Sequence, residues 1–168
     1  MDADAKKIAL RMIPYGLYVL TSVGKDGRMS AATVNWVTQT SFAPPLIAVG
    51  VKADSLTHAL IEDSGEFVLN VIAKGDNALA YAFFKPANVE GNKIGGEVFA
   101  AGSVVKAPVL DKAPAHLECR VIETVKKGDH TLFVAEVVEA RVKTAPSGRA
   151  DDAICWLKDL GEKVYYGG

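Results

Sequence analysis

Three short stretches of this chain combine residue types able to hold an anion or a polar ring. The first, Lys52-Ala53-Asp54-Ser55-Leu56-Thr57, follows an apolar run and opens a helix. Helix N-termini carry N–H groups without intrahelical acceptors and attract anions. With the Lys52 cation and the Ser55 and Thr57 hydroxyls, such a turn makes a phosphate site. The same residues also suit a plainer role, with Asp54 or Ser55 as an N-cap and Lys52 in solvent. The second stretch is Ala32-Thr33-Val34-Asn35-Trp36-Val37. In a strand, Thr33, Asn35 and Val37 share one face, and Val34 and Trp36 share the other. A buried Asn needs a hydrogen-bond partner. Backbone, a loop or the donor-and-acceptor edge of a heterocyclic ligand can supply it; Trp36 reads as core or subunit-interface packing. Asn70, inside another apolar run, raises the same question. The third stretch, Gly128-Asp129-His130, suits a hairpin turn and would equally set His130 at a barrel rim beside a bound cofactor.

Other chemistries find no matching pattern. His58 and His116 have no metal-ligand spacing to each other or to His130, so no metal site is expected. No serine sits in a GxSxG elbow, no carboxylate pair is spaced for acid–base work, and no GxGxxG follows a strand.

The elements that must position these residues are mostly strands. A helix over about Asp2–Met12 ends at Pro14. The runs 17–23 and 29–38 read as strands joined through Gly24-Lys25-Asp26-Gly27, a hairpin signal. Pro44-Pro45 leads into a buried strand over 46–51. A helix opens at Asp54-Ser55 with Leu56, Ala59 and Leu60 on its apolar face, and Gly65 closes it. A strand over 67–72 follows, then a helix over 77–84 with Leu79, Ala80, Phe83 and Phe84 as its stripe, ended by Lys85-Pro86. The stretch from Ala87 to Lys112 reads as a long loop that covers a site. Runs 115–125 and 131–142, joined by Lys127-Gly128-Asp129-His130, form a second long hairpin. Hairpins with short inserted helices favour an antiparallel β-barrel over a sandwich or a parallel sheet.

The 168 residues are expected to form one domain, with a core over about 11–142 and a C-terminal extension over 143–168. Hydrophobic residues make up 49%, which argues against disorder. A net charge of -1 points to no nucleic acid or anionic membrane as partner. No apolar run approaches the roughly 20 residues of a spanning helix, and Met1–Arg11 is unlike a secretory signal. Two isolated cysteines, Cys119 and Cys155, fit a reducing, cytoplasmic compartment.

The order of these pieces resembles the flavin reductase-like family of FMN-binding split barrels. The matching string runs from Tyr15-Gly16-Leu17-Tyr18-Val19-Leu20-Thr21-Ser22 and Ala31-Ala32-Thr33-Val34-Asn35-Trp36 through Ser41-Phe42-Ala43-Pro44-Pro45. It continues through Lys52-Ala53-Asp54-Ser55-Leu56-Thr57, Gly65-Glu66-Phe67-Val68-Leu69-Asn70 and Leu117-Glu118-Cys119-Arg120 to Gly128-Asp129-His130-Thr131-Leu132-Phe133. The resemblance implies an antiparallel Greek-key split barrel that works as a homodimer, with one FMN per subunit and NAD(P)H as reductant. By position, Thr33, Asn35 and Trp36 would line the isoalloxazine, and Lys52, Ser55 and Thr57 would hold the phosphate with Asn70 nearby. Phe84 and Lys85 would lie close to the flavin or its entrance, and His130 would face the nicotinamide side. The tail, Trp156-Leu157 to Tyr165-Tyr166, looks like that of flavoredoxin-type members. The implied activity is hydride transfer from NAD(P)H to flavin, or else electron exchange with a protein such as rubredoxin. A monooxygenase is a further possible partner.

Overall fold

The structure, a computed structural model, describes residues 1–167. In chain order the elements are α1 (Ala3–Arg11), β1 (Tyr18–Val23), β2 (Met29–Val34), β3 (Val37–Ser41), β4 (Leu46–Lys52), α2 (Leu56–Ser64) and β5 (Glu66–Val71). They continue with α3 (Asn77–Ala82), β6 (Val89–Glu90), β7 (Lys93–Ile94), β8 (Glu97–Ala101), β9 (Pro108–Leu110), β10 (Ala115–Lys126) and β11 (His130–Val142). Seven strands form one antiparallel sheet in the order β2-β1-β5-β10-β11-β4-β3. Its two edge strands, β2 and β3, are consecutive in the chain and separated only by Asn35 and Trp36. In a flat sheet those edges would lie six strand spacings, roughly 29 Å, apart. Three Cα steps cover at most about 11 Å. The sheet therefore rolls up until its edges meet, leaving a seam with no ladder between β2 and β3: a split barrel.

This break corrects the expectation of one strand over 29–38. The ladder of β2 with β1 ends at Val34, and that of β3 with β4 begins at Val37. The chain turns where Trp36 folds over Gly50, whose N–H donates to the Trp36 carbonyl at 2.9 Å. A Cβ at Gly50 would lie 3.1 Å from the indole, so the absence of a side chain there permits the crossing.

Strand β1 is buried on both faces, which explains its unbroken apolar run. Leu20 points into the barrel with Phe67, Leu69 and Phe133. Val19 points outward into a second layer with Ile72, Leu79, Phe83, Leu110 and Cys155. Helix α2 closes one barrel end through Ile61. Its inner face is Thr57, His58, Leu60 and Ile61, whereas Leu56 and Ala59 are exposed, contrary to the pattern-based expectation. Polar residues turn inward because partners meet them: Thr57 Oγ1 lies 2.7 Å from Ser30 Oγ, and His58 Nε2 lies 2.8 Å from Thr131 Oγ1. Helix α3 stops at Ala82, short of the expected 84; Leu79 and Ala80 within it and Phe83 at its cap are buried as expected, but Phe84 is exposed.

The stretch 87–112 is not a structureless loop but a four-stranded sheet, β6-β7-β8-β9. Two-residue turns, Gly91-Asn92 and Gly95-Gly96, join its first three strands, with positive φ at Gly91, Gly95 and Gly96. The chain after β11 returns across the outer layer. The Cys155 N–H donates to Ile72 O and the Leu157 N–H to Tyr15 O, both at 2.9 Å. No helix among the described residues is long and apolar enough to cross a membrane.

Candidate functional site

A cavity of about 590 Å³ opens at the barrel seam. Strand β2 and its exit form one wall, residues 50–52 of β4 and the start of α2 a second, and residues 83–87 a third. The C-terminal residues Val164, Tyr165 and Tyr166 complete it.

At one end sits the N-terminus of α2. Ser55 is the N-cap: its hydroxyl accepts from His58 N–H at 3.1 Å and donates to Lys52 O at 2.7 Å. The Ser55 N–H itself donates to Lys52 O. Of the four first-turn donors, those of Leu56 and Thr57 remain for a ligand. Lys52 Nζ lies 3.1 Å from Asp54, and both side chains are largely in solvent. The capping reading holds, with Ser55 as the N-cap, and the Leu56 and Thr57 N–H groups and the Lys52 side chain lie at this end of the cavity. Ser55 serves mainly the helix. Ser55→Ala should cost about 1 kcal/mol in denaturant unfolding of the ligand-free protein; unchanged stability would contradict the cap.

Further along the cavity, Thr33 is fixed by the backbone of α3 and its exit. Its hydroxyl donates to Ala80 O at 2.7 Å and its N–H donates to Phe83 O at 3.1 Å. Asn35 lines the cavity and is buried, yet its Nδ2 has no partner among the described residues. An unpaired buried amide donor costs about 1–3 kcal/mol; this one is enclosed as it stands, so the carboxamide would have to turn to bring it to the cavity. The buried Trp36 Nε1 likewise has no partner among the described residues. Trp36 backs the cavity through His130, 4.5 Å away between ring centroids. Phe84 and Lys85 are exposed at the rim.

His130 opens β11 opposite Lys52 in the ladder. Its Nδ1 lies 3.0 Å from Asp129 Oδ1 and its Nε2 lies 2.8 Å from the Tyr166 hydroxyl. With Nδ1–H donated to the carboxylate, Nε2 of the neutral ring accepts from Tyr166. The bond from His130 holds the Asp129 carboxyl below its ordinary range, and burial lifts the Tyr166 hydroxyl above its own.

Asn70 does not join this group, a correction to its expected place near the phosphate. It is fully buried in the outer layer. Its Nδ2 donates to Val19 O, Thr21 Oγ1 and Pro108 O, and its Oδ1 accepts from Leu110 N–H at 2.9 Å. It joins β5 to β1 and β9, so no part of its amide is left for a ligand. The residues that sequence reasoning missed are Ser30 and the tail tyrosines. Ser30 carries no pattern of its own and is found only through its contact with Thr57.

Comparison with known proteins agrees with this architecture. The family described as flavin reductase like domain matches residues 10–158, and the chain belongs to that family. A flavin reductase (NADH) of Kitasatospora aureofaciens is 32% identical over 139 residues, 82% of this chain and 71% of that protein. A high molecular weight rubredoxin of Moorella thermoacetica is 31% identical over 135 residues, 80% of this chain and 58% of that protein. Among solved structures, the NADH:FAD oxidoreductase of Streptomyces globisporus superposes with a TM-score of 0.72 at 26% identity, covering 84% of this chain and 80% of that one.

Proposed function

We propose that the chain binds FMN in the seam cavity and passes a hydride from NADH or NADPH to the flavin. The observation that carries this reading is the pairing, in one cavity, of a helix end whose Leu56 and Thr57 N–H groups stay free with the Asn35 carboxamide, whose Nδ2 has no partner among the described residues. A flavin monophosphate asks for those two features, a seat for its phosphate and a donor for its ring edge. The bound flavin supplies the hydride-accepting chemistry. The chain's own residues then bind and orient it: Lys52, Thr57 and the first-turn N–H groups at the phosphate, Asn35 and Thr33 along the ring, and Phe84 and Lys85 at the entrance. His130, with Trp36 behind it, borders the space where nicotinamide would approach. Ser55 supports the phosphate seat by capping the helix.

The test is flavin titration followed by NADH and NADPH oxidation with FMN, FAD and riboflavin. Micromolar or tighter FMN binding with nicotinamide-dependent flavin reduction is expected; turnover no faster than free flavin would reject the activity. A second expected result concerns Asn35. Because its Nδ2 has no partner among the described residues, Asn35→Ala should leave unfolding stability nearly unchanged while weakening FMN about tenfold, the worth of one well-placed hydrogen bond. A large loss of stability with unaltered affinity would reverse that assignment.

The similarity to a rubredoxin-containing protein supports a second reading, in which the flavin exchanges electrons with a protein partner. Reduction by a rubredoxin-type donor without nicotinamide turnover would select it. A monooxygenase that consumes reduced flavin is the corresponding partner for the first reading. The chain also works as a homodimer in this proposal. Val125 and Leu132, cross-strand neighbours on the β10–β11 hairpin, are exposed apolar residues suited to a second copy. Sedimentation as a monomer at micromolar concentration would exclude that assembly. A cytoplasmic location is part of the same proposal.

A further inference from the structure

The residues before the C-terminus run along the cavity mouth as a strap. Tyr165 and Tyr166 belong to no helix or strand, so side chains hold them rather than a ladder. The Arg11 guanidinium lies 4.2 Å above the Tyr165 ring. The Tyr166 ring meets Trp36 edge-on at 5.5 Å, and its hydroxyl reaches His130 Nε2 at 2.8 Å. That last contact is tied to the phosphate end. Asp129, which holds the other side of His130, accepts from Ala53 N–H through its carbonyl at 2.9 Å, and His130 pairs with Lys52 in the sheet. The latch and the anion-binding turn thus share one piece of backbone.

The strap is a wall and not a plug. With it in place the cavity still measures about 590 Å³, inside the range of roughly 300–1,000 Å³ that encloses a small ligand. A ligand filling that space is in contact with Tyr165 and Tyr166 on one side and with β2 on the other. The strap thus contributes one wall of the ligand's seat, and swinging it away costs the His130 bond and the aromatic contacts but no strand pairing. A segment held by side-chain contacts rather than by a ladder can open locally without disturbing the sheet.

We propose that this strap, latched by the Tyr166 hydroxyl on His130, sets how long the flavin stays bound, and so whether it behaves as a resident group or an exchanging substrate. The proposal rests on the flavin reading above. Tyr166→Phe removes the latch and keeps the ring. FMN dissociation, followed by the recovery of free-flavin fluorescence after rapid dilution, should be about 3- to 10-fold faster in that variant, as for one hydrogen bond lost. The unfolding midpoint should be unchanged. In a His130→Ala background, Tyr166→Phe should add nothing, because the two changes remove the same contact. No uptake of FMN by the wild type would reject the flavin site and the strap's role together. Uptake with equal dissociation rates in wild type and Tyr166→Phe would reject the strap alone. Equal acceleration in both backgrounds would show that Tyr166 acts without His130 and overturn the latch.

Discussion

Replacing Glu118 with alanine should destabilise the protein by about 3–5 kcal/mol, the range seen when a buried charge network is broken. Glu118 is wholly buried, yet it is a carboxylate. Its Oε1 accepts from the Ser103 N–H and hydroxyl, both at 2.8 Å, and its Oε2 accepts from Val104 N–H at 2.7 Å and Val105 N–H at 2.8 Å. This clamps the link between β8 and β9 to the barrel wall and seats Val105 against Val23 and Val68. The approach is close: a Cβ at Gly102 would lie 2.7 Å from Glu118 Oε2. Alanine would leave three N–H groups without an acceptor. The pH dependence follows from the same contacts. Burial alone would push the carboxyl up, but the bonds from Val105, Val104 and Ser103 outweigh it and hold it at about 2. The unfolded value is near 4.3. The folded group is the stronger acid, so its stabilisation is complete above the unfolded value and is lost as the pH falls towards about 2. The difference corresponds to roughly 3 kcal/mol. Urea unfolding between about pH 6 and about pH 3 should show roughly half of that decline in the wild type and a flatter dependence in Glu118→Gln. Equal pH dependence in the two would remove Glu118 as the cause. The neighbouring His116, 3.8 Å away, has its pKa lowered by burial and does not complete an ion pair near neutral pH.

Glu118 also marks where reading from sequence alone stops. In the sequence it is one residue of the Leu117-Glu118-Cys119-Arg120 run, and only the fold shows three amides converging on it. What was legible came from local rules: the Asp26-Gly27 turn, the Gly65 helix stop, the Gly128-Asp129 turn and the dense β-branched runs between them. The break at Asn35-Trp36 was not legible. Nothing in either residue forbids a strand, and the chain turns there because a rolled sheet brings β2 and β3 together. The small sheet was hidden for a different reason. Its first two strands are two residues long, too short for alternation to register, although Gly91-Asn92 and Gly95-Gly96 are both favoured two-residue hairpin turns.

For the site, the residues set in one cavity are Thr33, Asn35, Lys52, Ser55, Thr57, Phe84, Lys85 and His130, with Trp36 behind. The α2 turn announced itself because a cap and an anion seat use the same residue types. Asn70 misled because buried Asn residues look alike in sequence. Asn70 finds all its partners in the backbone and in Thr21, while Asn35 leaves a donor over, and only coordinates separate the two cases. The tail was invisible as part of the site, since the pairing of Tyr166 with His130 spans 36 residues.

Reversing the charge at Lys52 should separate two flavins that differ only by a phosphate. With Lys52→Glu, FMN affinity is expected to fall about 30- to 100-fold, roughly 2–3 kcal/mol, while riboflavin affinity stays within about twofold. The native cation stands at the start of the turn that presents the free N–H groups of α2, with Asp54 beside it. In the variant the phosphate would meet two carboxylates in place of a neutralised pair, so attraction becomes repulsion. Because the Lys52 side chain is 57% exposed, water and salt screen much of the Coulomb energy, and the figure sits well below that of a buried charge. For the same reason the gap between wild type and variant should narrow as ionic strength rises from about 10 mM to about 500 mM. Thermal unfolding without ligand should move little, since an exposed pair of this kind contributes about 0–1 kcal/mol. An equal loss for FMN and riboflavin would mean that position 52 acts on the ring or on the fold. An unchanged FMN affinity would put the phosphate elsewhere, leaving the α2 N-terminus as a capped helix end.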